Sequence, residues 1–296
     1  MTPFSGIGLQ RMSGIKRRML SFLAGLAIVY LGVLALLYIY QQKLLYFPDV
    51  ERPIAGADGL LQPVAYRSAD GIELNSLYRA PPSDAARVLL HFHGNAGNIG
   101  GRVERIVPYA EAGMGVLLAE YRGFGGNSGS PSEQGFYDDA RAAIGFLRQQ
   151  GVEPGRMVFY GESLGSGVAV QMATEFACGA LVLEAPYSSV ADVAQGRYWM
   201  FPVKALVRDR YDSTAKIARV RCPIFIMHGT ADRVIPIRYG ERLYALAPSP
   251  KEMKVYPGLG HVGFDEVRGF DAVLDFLRRH GMIGAGGDIR RQDAAS

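Results

Sequence analysis

Apolar runs alternate with amphipathic segments along residues 59–282 and predict strands that alternate with helices. The predicted strands cover residues 64–66, 72–78, 88–92, 116–120, 157–160, 180–184, 223–227 and 253–256. Helices are predicted at about 99–112, 131–149, 237–247 and 262–279, with another that begins at Ser163. Continuous apolar strands between helices are typical of a parallel sheet that is buried on both faces. The pattern therefore predicts an α/β fold with a mainly parallel sheet and helices on both sides.

Local turn signals mark some of the element ends. Asp70-Gly71 lies between the first two predicted strands and indicates a hairpin turn. Ser130 is the predicted N-cap of the helix that follows, because Pro131 suits the first turn and Glu133 completes an S-x-x-E capping box.

The N-terminal region predicts a membrane anchor. Residues 19–40 carry no charge and are long enough to cross a bilayer core as a helix. Arg11, Lys16, Arg17 and Arg18 precede this segment, so the positive-inside rule places residues 1–18 in the cytoplasm. The catalytic domain is then expected on the exported (periplasmic or extracytoplasmic) side. A cleaved signal peptide and a buried core helix are the alternatives.

The remaining chain is divided by composition. Residues 41–58 are predicted to be a linker, 59–282 the main domain, 186–221 a lid-like insertion rich in aromatic residues, and 283–296 a disordered tail. The four basic residues before the apolar segment account for the formal net charge of +4, so the rest of the chain is neutral by count. A neutral domain gives no electrostatic reason to expect a nucleic-acid partner. Cys178 and Cys222 form no C-x-x-C pair, and their number neither requires nor excludes a disulfide. The oligomeric state is not defined by the sequence.

Residues 161–165 (GESLG) contain the most informative motif. The motif G-x-S-x-G follows a predicted strand and precedes a helix that starts with small residues. This context is typical of a nucleophile elbow, a tight turn that exposes the serine hydroxyl at the end of a sheet. The sequence therefore predicts Ser163 as a nucleophile.

A serine hydroxyl needs a base next to it, and elimination among the five histidines suggests one. His91 lies within an apolar strand, His93 and His228 end strands in front of a glycine, and His280 ends the last helix. His261 lies in a glycine-rich loop after the last strand, and such loops often carry catalytic residues. His261 is the predicted base.

The orienting acid and the oxyanion hole follow from the order of the elements. Asp232 lies in a loop after a strand and is favoured as the acid, while Glu184 at the end of the preceding strand is its rival. The N–H of Leu164, next to the nucleophile, is the first predicted oxyanion donor. The N–H of Asn95, in the small-residue loop after the strand that ends near His93, is the second.

Several motifs together resemble the Bem46-like branch of the α/β-hydrolase superfamily. They are, in order, residues 91–98 (HFHGNAGN), 121–125 (YRGFG), 130–133 (SPSE), 161–165 (GESLG), 228–232 (HGTAD) and 260–261 (GH). The resemblance covers most of residues 60–280 and implies an α/β-hydrolase fold with a Ser163–His261–Asp232 triad. Glu120 stands where this branch usually has aspartate, and Ser166 stands where it often has a second glycine.

The resemblance implies hydrolysis of acyl esters or thioesters without a cofactor. The expected partners are a small-molecule or lipid-like acyl substrate and the membrane. A serine peptidase or amidase of the same fold is one alternative, and a non-catalytic binding module is another. Tyr187, Trp199 and Phe201 in the insertion are predicted to line the acyl pocket. His91 and His93 form an H-x-H pair without acidic or cysteine neighbours in the sequence, so no metal is expected.

Overall fold

The computed structural model describes residues 14–54 and 59–284. The chain divides into two compact units after Gln41. Three stretches that carry predictions lie outside the described residues. They are residues 1–13 of the predicted cytoplasmic segment, residues 55–58 of the predicted linker and residues 285–296 of the predicted tail.

The described part of the first unit is most of a single long helix, α1, which spans Gly14–Leu45. The part from Lys16 to Leu45 is long and apolar enough to cross a membrane, with a window of mean hydropathy 2.5. None of that window is buried in the structure, which argues against the core-helix alternative. The predicted apolar span 19–40 lies wholly within α1, which is longer at both ends.

The second unit contains a sheet of eight strands among the described residues. Its strands are β2 (Gln62–Arg67), β3 (Glu73–Arg79), β4 (Val88–Phe92), β6 (Gly115–Ala119), β7 (Met157–Glu162), β8 (Ala180–Glu184), β9 (Ile224–Gly229) and β10 (Lys251–Tyr256), while β1 (Phe47–Pro48) and β5 (Ala96–Gly97) form a separate parallel pair. The order across the large sheet is β2-β3-β6-β4-β7-β8-β9-β10. The strands β2 and β3 form the predicted antiparallel hairpin, β3 is antiparallel to β6, and the other pairs are parallel.

Helices cover both faces of this sheet. They are α2 (Val103–Glu111), α3 (Glu133–Gln149), α4 (Leu164–Glu175), α5 (Val190–Arg197), α6 (Val203–Leu206), α7 (Arg238–Leu246) and α8 (Gly269–Arg279). Side chains of a strand alternate between faces, so Leu90 and Phe92 enter one apolar cluster with α3 and α4, whereas Leu89 enters the other with α2 and α8. All five residues of β4 are buried. The predicted α/β fold with a mainly parallel sheet is confirmed.

Two predicted helix starts are wrong. The N-cap of α3 is Ser132 and not Ser130, because the Ser132 hydroxyl accepts a hydrogen bond from the Gly135 amide at 3.1 Å. The last helix begins at Gly269 rather than near residue 262, because Gly263 and Arg268 adopt positive φ angles of 97° and 50° that interrupt a right-handed helix.

The segment predicted as a linker carries defined structure in its described part. Residues 41–45 belong to α1, and Phe47–Pro48 form β1 beside Ala96–Gly97. The insertion at 186–221 contains α5, α6 and a short 3₁₀ turn at Ile217–Arg219. The buried free thiols of Cys178, which precedes β8, and Cys222, which directly follows the insertion, lie with their Sγ atoms 2.8 Å apart.

Candidate active site

Ser163 occupies a strained turn between β7 and α4. Its φ and ψ angles are 50° and −116°, a conformation that a residue with a side chain adopts only at an energetic cost. A Cβ atom on Gly165 would overlap the carbonyl oxygens of Phe92 and His93, and a Cβ on Gly161 would lie 2.5 Å from the Cα of Ser166. The small residues around Ser163 are therefore required by the close approach of α4 to the ends of β4 and β7, as the motif predicts.

The structure brings Ser163, His261 and Asp232 together. The Ser163 Oγ lies 2.9 Å from His261 Nε2, and His261 Nδ1 lies 2.7 Å from an Asp232 carboxylate oxygen. An ionised carboxylate only accepts hydrogen bonds, so Nδ1 of His261 carries the proton. The Nε2 atom is then free to accept the proton of the serine hydroxyl.

Asp232 is held as an ionised carboxylate. Burial alone would raise its pKa, but hydrogen bonds from His228, His261 and the Ile235 amide outweigh burial and hold the pKa well below its ordinary value. The amides of Val234 and Ile235 donate to its other oxygen at 2.8 Å each. These bonds fix both oxygens, so the carboxylate presents one defined acceptor to His261.

His228 is a structural partner of Asp232 whose role the sequence analysis did not identify. Its Nε2 lies 2.8 Å from the Ile235 carbonyl and 3.4 Å from the Asp232 carboxylate. Because a carbonyl only accepts, Nε2 of His228 bears hydrogen. The separation of four residues between His228 and Asp232 was the only sequence signal for this contact.

Glu184, the rival acid, makes a different set of contacts. Its carboxylate accepts two hydrogen bonds from Arg105 at 2.8 Å and one from the Tyr160 hydroxyl. Arg105 also pairs with Glu162 at 3.0 Å and with Asp265 at 2.8 Å. Glu184 therefore belongs to an ion-pair network, and Asp232 alone of the two acids contacts the histidine.

A cavity of about 240 Å³ adjoins Ser163 and His261. Much of its wall is this charged network, with Arg102, Arg105, Glu162, Glu184 and Asp265 among the lining residues. This network was not predicted from the sequence. Its local signals in the sequence are two arginines three residues apart and a glutamate directly before Ser163.

The carboxylates of the network differ in their proton affinity. Burial raises the pKa of Glu162, but Arg102 and Arg105 overcome this and lower it to about 2. Burial, together with repulsion from Glu162, raises the pKa of Glu184 above its ordinary value despite the opposing effect of Arg105. Glu162, the residue directly before Ser163, is therefore ionised.

The loop at residues 94–98 lies beside Ser163. An added Cβ on Gly94 would lie 3.5 Å from the Ser163 Cβ, so the backbone of this loop approaches the serine closely. Within residues 14–54 and 59–284, neither the N–H of Leu164 nor that of Asn95 has a hydrogen-bond acceptor. Both predicted oxyanion donors are therefore unoccupied by other groups of the described chain.

Glu120 and Arg102 hold both ends of the same loop. Glu120 accepts from His93 at 2.7 Å and from the Ile99 amide at 2.9 Å. Arg102 donates to the Asn98 carbonyl at 3.1 Å and to Glu162 at 2.9 Å, which links the loop to the elbow. The longer side chain of glutamate at position 120 reaches both partners.

The three aromatic residues predicted to line an acyl pocket lie in different environments. Tyr187 is buried, and its hydroxyl donates to the Leu164 carbonyl at 2.9 Å, so it binds the first residue of α4. Trp199 is 76% exposed and Phe201 is half-buried. The cavity beside Ser163 is lined by none of the three.

His91 predicts a pH dependence of folding stability. Burial lowers its pKa from 6.5 to about 3. Below about pH 6.5 the unfolded chain therefore binds a proton that the folded chain rejects, and the unfolding free energy falls as the pH falls. Between about pH 6.5 and pH 5, the unfolding free energy of the unaltered protein should fall by about 2 kcal/mol more than that of His91→Leu. Denaturant unfolding at both pH values measures this difference, and His280→Gln, at a half-buried histidine, is the control. If the unfolding free energy of His91→Leu fell with pH as steeply as that of the unaltered protein, the prediction would be contradicted.

A family model described as serine aminopeptidase, S33, matches residues 83–208 and 203–268 of the chain. The chain is also 37% identical over 281 residues to an uncharacterized protein of Mycobacterium tuberculosis (strain ATCC 25618 / H37Rv), a match that covers 92% of this chain and 100% of that protein.

Among the described residues, no group of three or more histidine, cysteine or acidic side chains is arranged to hold a metal ion.

Solved esterases share the fold. The Pyrococcus furiosus esterase Pf2001 superposes with a TM-score of 0.65 at 18% identity, over 78% of this chain and 98% of that one. The acetyl xylan esterase from Paenibacillus sp. R4 superposes with a TM-score of 0.62 at 19% identity, over 78% of this chain and 88% of the esterase chain. At these identities the likeness establishes the common fold.

Proposed function

The chain belongs to the family described as serine aminopeptidase, S33, within the α/β-hydrolase superfamily, and from this premise we propose that it is a membrane-anchored serine hydrolase of acyl esters or thioesters. The contact chain from Ser163 through His261 to Asp232 carries the proposal. Within the α/β-hydrolase superfamily we assign the chain to the Bem46-like branch on the motifs around His93 and Ser163.

The proposed reaction proceeds through an acyl-enzyme. Ser163 attacks the substrate carbonyl while His261 takes the hydroxyl proton, and Asp232 orients and stabilises the resulting imidazolium. The amides of Leu164 and Asn95 bind the oxyanion of the tetrahedral intermediate. His261 then gives its proton to the leaving group, and water releases the acyl group by the reverse sequence of proton transfers.

Peptide or amide hydrolysis is the second candidate, because the matched family is described by aminopeptidase activity. An aminopeptidase needs a carboxylate that is free to bind the substrate ammonium group. The carboxylates of Glu162, Glu184 and Asp265 border the cavity, but each is paired with Arg102 or Arg105. This pairing favours an ester or thioester over a peptide with a free N-terminus.

A panel of acyl esters tests the substrate class and the role of the insertion. We propose that the exposed Trp199 and the half-buried Phe201 contact long acyl chains outside the cavity beside Ser163. Trp199→Ala should lower kcat/KM for dodecanoyl esters roughly tenfold and leave acetyl esters nearly unchanged, because only the long chain loses apolar contact. Leu246→Ala, an exposed apolar residue on α7, is the matched control. Equal losses for both chain lengths would contradict the role of Trp199, and hydrolysis of aminoacyl amides in preference to every ester would overturn the ester assignment.

We propose that α1 anchors the protein with its N-terminus in the cytoplasm. A reporter that is active only after export, fused after Ser296, should therefore be active, whereas a reporter that works only in the cytoplasm should be silent. Replacing the basic residues Arg11, Lys16, Arg17 and Arg18 by glutamine should reduce this difference, because they provide the charge asymmetry. Activity of the cytoplasmic reporter alone in the unaltered chain would place the catalytic domain inside the cell.

A further inference from the structure

The chain that leaves α1 runs directly along the loop beside Ser163. We call residues 45–51 the brace. The carbonyl of Leu45 accepts a hydrogen bond from the Asn95 side-chain amide at 2.7 Å, and the Phe47 amide donates to the Asn95 carbonyl at 2.8 Å. The brace therefore binds both the side chain and the main chain of Asn95.

The contact continues along the loop. The Asp49 amide donates to the Gly97 carbonyl at 3.0 Å, and the Asn98 side chain donates to the Glu51 carbonyl at 3.0 Å. The Asp49 carbonyl in turn accepts from the Gly125 amide at 2.8 Å. These hydrogen bonds, together with the parallel pairing of β1 with β5, connect the brace to residues 95–98, and the bond from Gly125 connects it to the neighbouring glycine-rich loop.

Tyr46 fixes the brace to the body of the domain. Its side chain is 5% exposed, and its hydroxyl lies 2.9 Å from the Asp209 carboxylate and 3.0 Å from the Tyr211 hydroxyl. Its ring packs edge-to-face against Phe136 at a centroid distance of 5.3 Å. A segment held by a buried aromatic side chain provides a rigid support for a loop that contains small residues.

These contacts determine which group of Asn95 is available for chemistry. The side-chain amide is committed to Leu45 and the carbonyl to Phe47, whereas the backbone N–H has no acceptor within residues 14–54 and 59–284. The neighbouring Gly94 lies against Ser163. We propose that the brace is a positioning element of the hydrolase: it holds the Asn95 N–H at the oxyanion, so that the chain leaving α1 is part of the site.

The inference rests on the proposed hydrolase function and concerns the transition state. An oxyanion donor acts mainly after charge has developed on the substrate oxygen, so a displaced donor lowers kcat and leaves KM little changed. Loss of a whole donor costs about 10²–10³ in kcat. We expect at least a tenfold loss when the brace no longer holds the donor in place, since a shift of about 1 Å can cost 10²-fold.

Variants of the full-length protein test this at two places. Phe47→Pro removes the amide that donates to the Asn95 carbonyl, and Phe47→Ala is its matched partner, which keeps this amide but loses the half-exposed ring. Asn95→Leu keeps the backbone N–H and a similar side-chain shape but cannot donate to Leu45. Arg87→Met is the control for the loss of a side-chain hydrogen bond to a main-chain carbonyl. Arg87 donates to the Met282 carbonyl at 3.1 Å and precedes β4, whereas residues 94–98 follow the other end of that strand.

The readouts are kcat, KM and melting temperature, together with affinity for an alkyl boronic acid, which forms a tetrahedral adduct with serine. We expect kcat of Phe47→Pro to be at least about tenfold below that of Phe47→Ala, and kcat of Asn95→Leu to be about tenfold below that of Arg87→Met. Boronate affinity should fall in parallel, because transition-state analogues use the same donors.

Several results would overturn the inference. If either Phe47→Pro or Asn95→Leu remains folded with kcat equal to its comparison variant, the brace does not position the donor. A rise in KM alone, or a lower melting temperature with unchanged kcat and boronate affinity, would also reduce the brace to a structural element. Absence of hydrolysis in the unaltered protein would instead contradict the proposed function, so the two failures are distinguishable.

Discussion

Ser163→Ala is expected to abolish hydrolysis by the full-length protein, with a loss in kcat on the order of 10⁶. The reason is chemical: alanine offers no hydroxyl to form the acyl-enzyme, although the cavity and the proposed oxyanion donors remain. His261→Ala should cost a comparable factor, because serine and histidine act as one unit and the second loss adds little to the first. Steady-state hydrolysis of an activated acyl ester measures both effects.

The control for these variants is the neighbouring polar residue Ser166, which is fully buried and follows the elbow. Ser166→Ala should retain most of the activity, since its hydroxyl has no hydrogen-bond partner in the described part of the chain. Ester hydrolysis by Ser163→Ala at a rate near that of the unaltered protein would contradict the assignment of the nucleophile.

The second large effect is expected at the acid. Asp232→Asn should lower kcat by about 10⁴, because asparagine no longer favours the histidine tautomer with hydrogen on Nδ1. The amides of Val234 and Ile235 that now bind the carboxylate remain available to the asparagine oxygen, so the loop should keep its position. Measurement of kcat and of the melting temperature separates the catalytic loss from unfolding.

Glu184→Gln provides the matched comparison. It removes a buried charge that pairs with Arg105, so it should lower the melting temperature. Among the described residues, the His261 ring bonds to Ser163 and Asp232 and forms no hydrogen bond or ion pair with Glu184. A much smaller loss of kcat is therefore expected than for Asp232→Asn. A larger loss in Glu184→Gln than in Asp232→Asn would transfer the role of the acid to Glu184.

The sequence predicted the sheet and the elbow well for a physical reason. Buried parallel strands are continuous apolar runs, and residues 88–92 match β4 in full. The elbow leaves a strong trace because only small residues fit at Gly161 and Gly165. His261 and Asp232 could be found as well, since each lies in a loop that directly follows a strand.

Other features depend on contacts between residues distant in sequence, which no local pattern reveals. The Glu133 side chain, predicted to complete a capping box, instead accepts from the Tyr137 hydroxyl and from the Arg210 amide. The pairing of Arg105 with Glu184 spans 79 residues. The predicted linker contains the brace, whose partners at residues 95–98 could be recognised only once the fold was known.

The most direct test of the account is the site of covalent modification by a fluorophosphonate probe. Mass spectrometry of the digested, labelled full-length protein should locate a single adduct on Ser163, and the Ser163→Ala variant should remain unlabelled. An adduct on another residue, or no adduct in a protein that hydrolyses acyl esters, would contradict the proposed serine mechanism. A folded protein with neither an adduct nor hydrolytic activity would favour the non-catalytic binding module.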